Sequence, residues 1–175
     1  KFIFWYFDNG DWVCEMVGHT GQEVKIYERF LTVTVPIKVQ HDEDHVTVSE
    51  VVEIPGAKEK VKLVYGDRMA VRIVDSEADG EPGTMRINRL YDFRYGDETA
   101  TVYRIDPVVS AIDLPADEAE VAYVVTYNER IVAVGTDLAG VIKHASKELG
   151  IPLDRAFAEY LDKTVKKLRN ETMGD

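Results

Sequence analysis

A chain of 175 residues with 45% apolar and 30% charged residues fits one ordinary globular domain and is too apolar for disorder. A net charge of −11 disfavours generic binding to nucleic acid or to an anionic membrane. The single cysteine, Cys14, excludes an intrachain disulfide and a cysteine-rich zinc site, and no stretch nears the ~20 apolar residues needed to span a bilayer.

The charge is uneven. Residues 137–175 carry as many basic as acidic groups, so residues 1–136 hold the whole acidic excess. An acidic body of this kind favours solubility and suits a basic partner. The apolar opening Lys1–Phe7 is cut off by Asp8-Asn9-Gly10-Asp11, too soon for the core of a signal peptide. A cytoplasmic location is therefore the expectation.

Asn9-Gly10, between two apolar runs, predicts a hairpin with a two-residue type I′ turn, because both central positions need positive φ. That register sets Phe7 against Trp12, Trp5 against Cys14 and Ile3 against Met16 on one face. Tyr6 with Val13, Phe4 with Glu15 and Phe2 with Val17 form the other. Both faces are largely apolar, so the hairpin should lie centrally or be covered on two sides, with Cys14 an inert core residue.

From Glu23 a long extended segment follows, with Leu31, Val33, Val35, Ile37 and Val39 alternating against Thr32, Thr34 and Lys38. Pro36 cannot donate to a ladder, so part of this strand should be an edge or carry a bulge. His41-Asp42-Glu43-Asp44-His45 turns the chain into Val46–Ile54, and Pro55-Gly56 breaks it again.

Leu63-Val64-Tyr65-Gly66-Asp67-Arg68-Met69-Ala70 can be laid over Phe93-Arg94-Tyr95-Gly96-Asp97-Glu98-Thr99-Ala100. Each copy reads as a hairpin turning at Gly-Asp, and repetition of this kind points to sandwich- or barrel-like architecture. Ser76–Gly83 should be an exposed loop between the copies. Tyr91, Phe93, Tyr95 and Tyr103, at alternating spacing, should form one face of a packed sheet.

Asp106-Pro107 begins a strand through Leu114, and Pro115-Ala116-Asp117-Glu118 is the candidate boundary between a β-rich body, 1–114, and a terminal unit, 115–175, packed against it. That unit opens with a hairpin around Asn128-Glu129. Thr136 reads as an N-cap with Asp137 in the first helical turn. Leu138, Val141, Ile142, Ala145 and Leu149 recur at helical spacing until Gly150 ends the helix. Pro152 opens a second helix with an apolar stripe of Leu153, Ala156, Phe157, Tyr160, Leu161, Thr164, Val165 and Leu168. The fold class is α+β: an antiparallel β-rich body, then a β-hairpin and two C-terminal helices.

Chemistry-bearing motifs are scarce. No nucleophile elbow, phosphate-binding loop, dinucleotide fingerprint or zinc-protease helix occurs, so no catalytic residue and no cofactor are assigned. His41, Asp42, Asp44 and His45 are ligand types for a divalent metal, but their spacing gathers both imidazoles only on a helix, and this is a turn. Asp11 with Glu23-Val24-Lys25 mimics the two carboxylates and lysine of metal-dependent nucleases, although a hairpin would set Asp11 and Glu23 at opposite ends.

Ala145–Pro152 followed by a helix resembles the helix-turn-helix pattern, with a small residue before the turn and glycine at it. The resemblance implies that Arg155, Lys163, Lys166, Lys167 and Arg169 face nucleic acid. The sequence departs from the pattern because Asp154 leads the second helix and most basic residues lie at its far end. The reading that remains is a non-enzymatic acidic interaction protein, an accessory or viral factor that binds or inhibits a basic protein partner by surface complementarity. A nucleic-acid-binding regulator and a metal-dependent hydrolase or nuclease are the alternatives, and a homo-oligomer is compatible with the sequence.

Overall fold

The computed structural model describes residues 2–8, 11–17, 23–41, 48–65, 69–75, 79–106 and 120–173, with side chains described only between residues 24 and 166. The strands are β1 (Phe2–Asp8), β2 (Asp11–Val17), β3 (Glu23–His41), β4 (Val48–Glu53), β5 (Lys60–Tyr65), β6 (Ala70–Val74), β7 (Glu81–Tyr95), β8 (Glu98–Ile105), β9 (Ala122–Tyr127) and β10 (Arg130–Gly135). Two helices follow, α1 (Leu138–Leu149) and α2 (Leu153–Met173). Among the described residues no helix is long and apolar enough to cross a membrane.

The main path of the sheet runs β10-β9-β8-β7-β3-β4-β5-β6, and β1-β2 joins it as a side branch through β3. All these pairings are antiparallel. The two ends of the path curl toward each other. Lys58 N–H donates to the Glu129 carbonyl at 2.8 Å, and the Glu59 carboxylate accepts from Arg130 Nε at 2.8 Å and Ile131 N–H at 3.2 Å. The eight path strands thus form a nearly closed barrel, which leaves few free sheet edges.

Side-chain alternation divides the buried residues into two cores. Val35, Ile37, Val52, Leu63, Ile87 and Ile105 belong to the barrel interior. Ile26, Phe93 and Val102 point the other way and meet Ile142, Leu153 and Phe157 of the helices. Helix amphipathicity decides this docking, because Val141, Ile142 and Ala145 share one side of α1 and are buried there. Gly150 ends α1 in the left-handed region at φ 68°. Ser146 Oγ then accepts the Asp154 N–H at 2.8 Å, which locks the corner between the helices.

The register predicted for the first hairpin is the one observed, from Phe2↔Val17 to Phe7↔Trp12. Turn 9–10 and the Cys14 side chain lie outside the described residues. The Asn128-Glu129 turn has both residues at positive φ, 49° and 66°, as a type I′ turn requires. Both Tyr-Gly-Asp segments join antiparallel strand pairs, β5-β6 and β7-β8, although residues 66–68 are not described. Pro36 pairs with Thr84 on one side, while on the other side β2 stops at Glu28 and β4 starts at Ile37. A residue without an N–H thus sits beside an edge that no described strand pairs.

Four expectations are corrected. The loop Ser76–Gly83 is shorter, since β7 already includes Pro82 and Gly83. Pro82 is tolerated because β8 pairs only from Ile87 onward, leaving the start of β7 with one neighbour. Gly80 just before it has φ 139°, and a Cβ there would lie 2.5 Å from the Val39 carbonyl oxygen, so only glycine fits. The N-cap of α1 is Asp137, whose carboxylate accepts the Gly140 N–H at 3.0 Å, because Asp caps as well as Thr and its charge suits the helix dipole.

The predicted aromatic face is split: Tyr91, Phe93 and Tyr95 pack toward the helices, whereas Tyr103 joins the barrel interior. The two-residue turn Gly96-Asp97 pairs Phe93 with Ala100 and Tyr91 with Val102, so on β8 Ala100 and Val102 share the helix-facing side and Tyr103 falls on the other. Finally, the apolar stripe of α2 is buried only as far as Tyr160; Leu161 and Val165 are exposed.

Candidate functional site

Strand β3 has a continuous partner on one side only. β7 pairs with it from Lys25 to Val39, but on the opposite side β2 covers it to Glu28 and β4 from Ile37. Among the described residues, no strand pairs the edge of residues 30–36. This window in the sheet carries two large apolar side chains at the surface, Phe30 at 60% and Leu31 at 51% exposure. Thr32, Thr34 and Pro36 are exposed as well, while Val35 is buried in the barrel interior.

A bulge sets up the window. Between Glu28↔Tyr91 and Leu31↔Arg89, Arg29 and Phe30 oppose the single residue Leu90. Phe30 adopts φ 46°, a left-handed conformation that costs a non-glycine residue about 1–2 kcal/mol. Strain of this size persists only where the surroundings enforce it. Next to Phe30, Arg29 is bound by Asp92, which is 1% exposed on β7.

Asp92 Oδ2 accepts from Arg29 Nε at 2.9 Å and Arg89 Nη2 at 3.0 Å, while Oδ1 accepts from Thr101 Oγ1 at 2.9 Å and Arg89 Nη2 at 3.1 Å. The carboxylate thus ties the bulged stretch of β3 to β7 and β8, and its four acceptor contacts answer its own desolvation. The Phe30 ring meets Tyr91 edge-on at 6.0 Å. Tyr91 in turn contacts Phe157 at 5.4 Å and Tyr160 at 5.6 Å. Phe30 is the outer end of an aromatic chain rooted in the helix core. Tyr160 donates its hydroxyl to Glu28, and burial with that acceptor pushes its phenol above the ordinary range.

Such an edge can take up an extended peptide by strand addition, with Phe30 and Leu31 as apolar anchors beside it. Sequence reading missed it by counting Leu31 into the alternating apolar face. The signal available was Phe30-Leu31 itself, two adjacent large apolar residues in a period-two strand, which is the mark of a bulge.

The other candidates are placed as follows. His41 is exposed at the end of β3, and Asp42, Asp44 and His45 lie outside the described residues. Among the described residues no three His, Cys, Asp or Glu gather as metal ligands. In the β2-β3 register Asp11 and Glu23 fall at opposite ends of the hairpin, roughly 20 Å apart at strand rise. Arg155, Lys163 and Lys166 are exposed on α2, interleaved with Asp154 and Asp162, and Lys166 pairs with Asp162 at 3.1 Å. Side chains of Lys167 and Arg169 are outside the described set.

One carboxyl inside the barrel stands apart. Glu50, 1% exposed, faces the interior beside Leu63, and Tyr65 donates its hydroxyl to Oε2 at 3.1 Å. Desolvation pushes the Glu50 pKa above its ordinary value, against the smaller opposing effect of the Tyr65 bond. A raised folded pKa means that the folded state holds its proton longer than the unfolded chain. The associated stability is full below the unfolded value of 4.5 and is lost as pH rises through the folded value. Glu50→Gln, which cannot ionise, is expected to be more stable than the parent at neutral pH and to lose that advantage near pH 4. Urea midpoints of the two proteins from pH 4 to 8 check this, and a constant difference across the range would refute it.

No known protein family model, curated protein or solved structure matches this chain.

Proposed function

We propose that this chain is a non-enzymatic binding protein whose open β3 edge receives an extended segment of a basic protein partner, sequestering or inhibiting it. The observation that carries the reading is the window at residues 30–36, which no described strand pairs on one side and which carries exposed Phe30 and Leu31. Strand addition supplies affinity through main-chain hydrogen bonds, which need no particular partner sequence. Selectivity then comes from the anchors and from charge, and the −11 body attracts a cationic chain at long range.

The reading is tested by recovering the partner with the parent protein and measuring its affinity for Phe30→Ser/Leu31→Ser. Loss of two anchoring side chains is expected to cost about 2 kcal/mol or more, roughly a 30-fold rise in Kd. Binding should also weaken as salt screens the acidic body. An affinity unchanged in the double variant would overturn the proposal.

A further inference from the structure

We infer that β1 is a self-association edge, and that two copies of this chain join by antiparallel β1–β1 pairing into one continuous sheet. This surface is separate from the β3 window, and the inference does not depend on the function proposed above. β1 pairs with β2 from Phe2↔Val17 to Asp8↔Asp11, and among the described residues no strand pairs its other edge. Seven residues long, it therefore presents a row of backbone donors and acceptors along that edge. Natural edge strands are usually blunted by lysine, proline or a bulge. β1 carries none of these: residues 2–7 are Phe-Ile-Phe-Trp-Tyr-Phe, its register with β2 is unbroken, and its only charge is Asp8 at the end.

A seven-residue edge whose residues 2–7 are all apolar and uncharged is the kind that pairs with another chain. A second copy of this chain is the occupant that charge allows. In a molecule of net charge −11, residues 2–7 form an uncharged stretch along which two like-charged bodies can meet. Antiparallel pairing sends the two Asp8 residues to opposite ends of the new ladder, where parallel pairing would set them side by side. It is also the arrangement that a two-fold axis generates and that closes at two copies. Phe4 and Trp5, at the middle of the strand, then lie next to the axis.

Light scattering on the full chain tests this. The parent is expected at twice the chain mass at micromolar concentration, with dimerisation strengthened by salt as repulsion between acidic bodies is screened. That salt response is opposite in sign to the one expected for a basic partner, so the two proposals fail separately. Phe4→Lys should weaken dimerisation at least tenfold, and mixing Phe4→Lys with Phe4→Glu should restore it. A parent that stays monomeric, or a Phe4→Lys protein that dimerises as well as the parent, would overturn the inference. Should Phe4→Lys fail to fold, hydrogen exchange on the parent decides: β1 amide protection that rises with protein concentration supports the pairing, and concentration-independent exchange refutes it.

Discussion

Asp92→Ala should remove about 3 kcal/mol of folding stability, among the largest effects expected of any single substitution in this chain. The carboxylate is 1% exposed and holds Arg29, Arg89 and Thr101 at 2.9–3.1 Å. Removing one member of a buried ion cluster typically costs ~3–5 kcal/mol, because the partners are left charged and partly desolvated. The lower end applies here, since the Arg29 and Arg89 side chains keep 22% and 33% of their surface in water. Arg89 has little alternative. Its Nε is buried with no hydrogen-bond partner among the described residues, so Nη2 depends on Asp92.

Asp92→Asn should be nearly as damaging, because its amide NH2 would face a guanidinium where a carboxylate oxygen now accepts. Urea unfolding of both variants measures the loss, and a change below about 1 kcal/mol would show that the arginines relax into solvent. The substitution also has a functional consequence. Without Asp92 the bulged stretch of β3 loses the ion pair that ties Arg29, next to Phe30, to β7. Partner binding through the β3 window should therefore fall in Asp92→Asn even where the barrel remains folded.

What the sequence could and could not disclose follows from the range of the interactions. Local chemistry was legible. Asn9-Gly10 fixed a register that the β1-β2 pairing reproduces, Gly150 marked the end of α1, and the 3.6-residue spacing of Val141, Ile142 and Ala145 identified its buried face. The β-rich body and closing helix pair followed from the same periodicities. Features that position the candidate site are non-local. Arg29 meets Asp92 across 63 residues, and Glu59 clasps Arg130 across 71 to draw the barrel ends together. No window of sequence contains both partners. The open edge at residues 30–36 depends on where β2 stops and β4 begins, which only the assembled sheet defines. The face of Tyr103 is by contrast a local matter: a two-residue turn at Gly96-Asp97 pairs Tyr91 with Val102, which sets Tyr103 on the side opposite Tyr91.

Phe157→Ala is expected to cost about 3–5 kcal/mol, the range for a buried aromatic replaced by alanine. Phe157 is 4% exposed and sits where the helix pair meets the sheet. Its ring stacks on Tyr160 at 5.7 Å and meets Tyr91 and Phe93 edge-on at 5.4 and 6.1 Å. Each such pair adds roughly 0.5–1.5 kcal/mol beyond area burial, so the loss belongs toward the upper end of that range. Phe157→Leu, which conserves most of the volume, should cost under about 1.5 kcal/mol plus the ring contacts.

The two cores make the pattern of damage predictable as well as its size. Phe157 belongs to the helix-facing core, whereas the barrel interior is built from other residues and closed by Glu59. Hydrogen exchange on Phe157→Ala should therefore show α1 and α2 losing protection ahead of β4, β5 and β8. If every element lost protection together, the helices and the barrel would be one cooperative unit, and the division into two cores would have no energetic meaning. The expected order follows from connectivity. The barrel strands pair with one another from β10 to β6, while the helices are held to the sheet by side chains such as Phe157 and Tyr160 and by the Tyr160–Glu28 hydrogen bond.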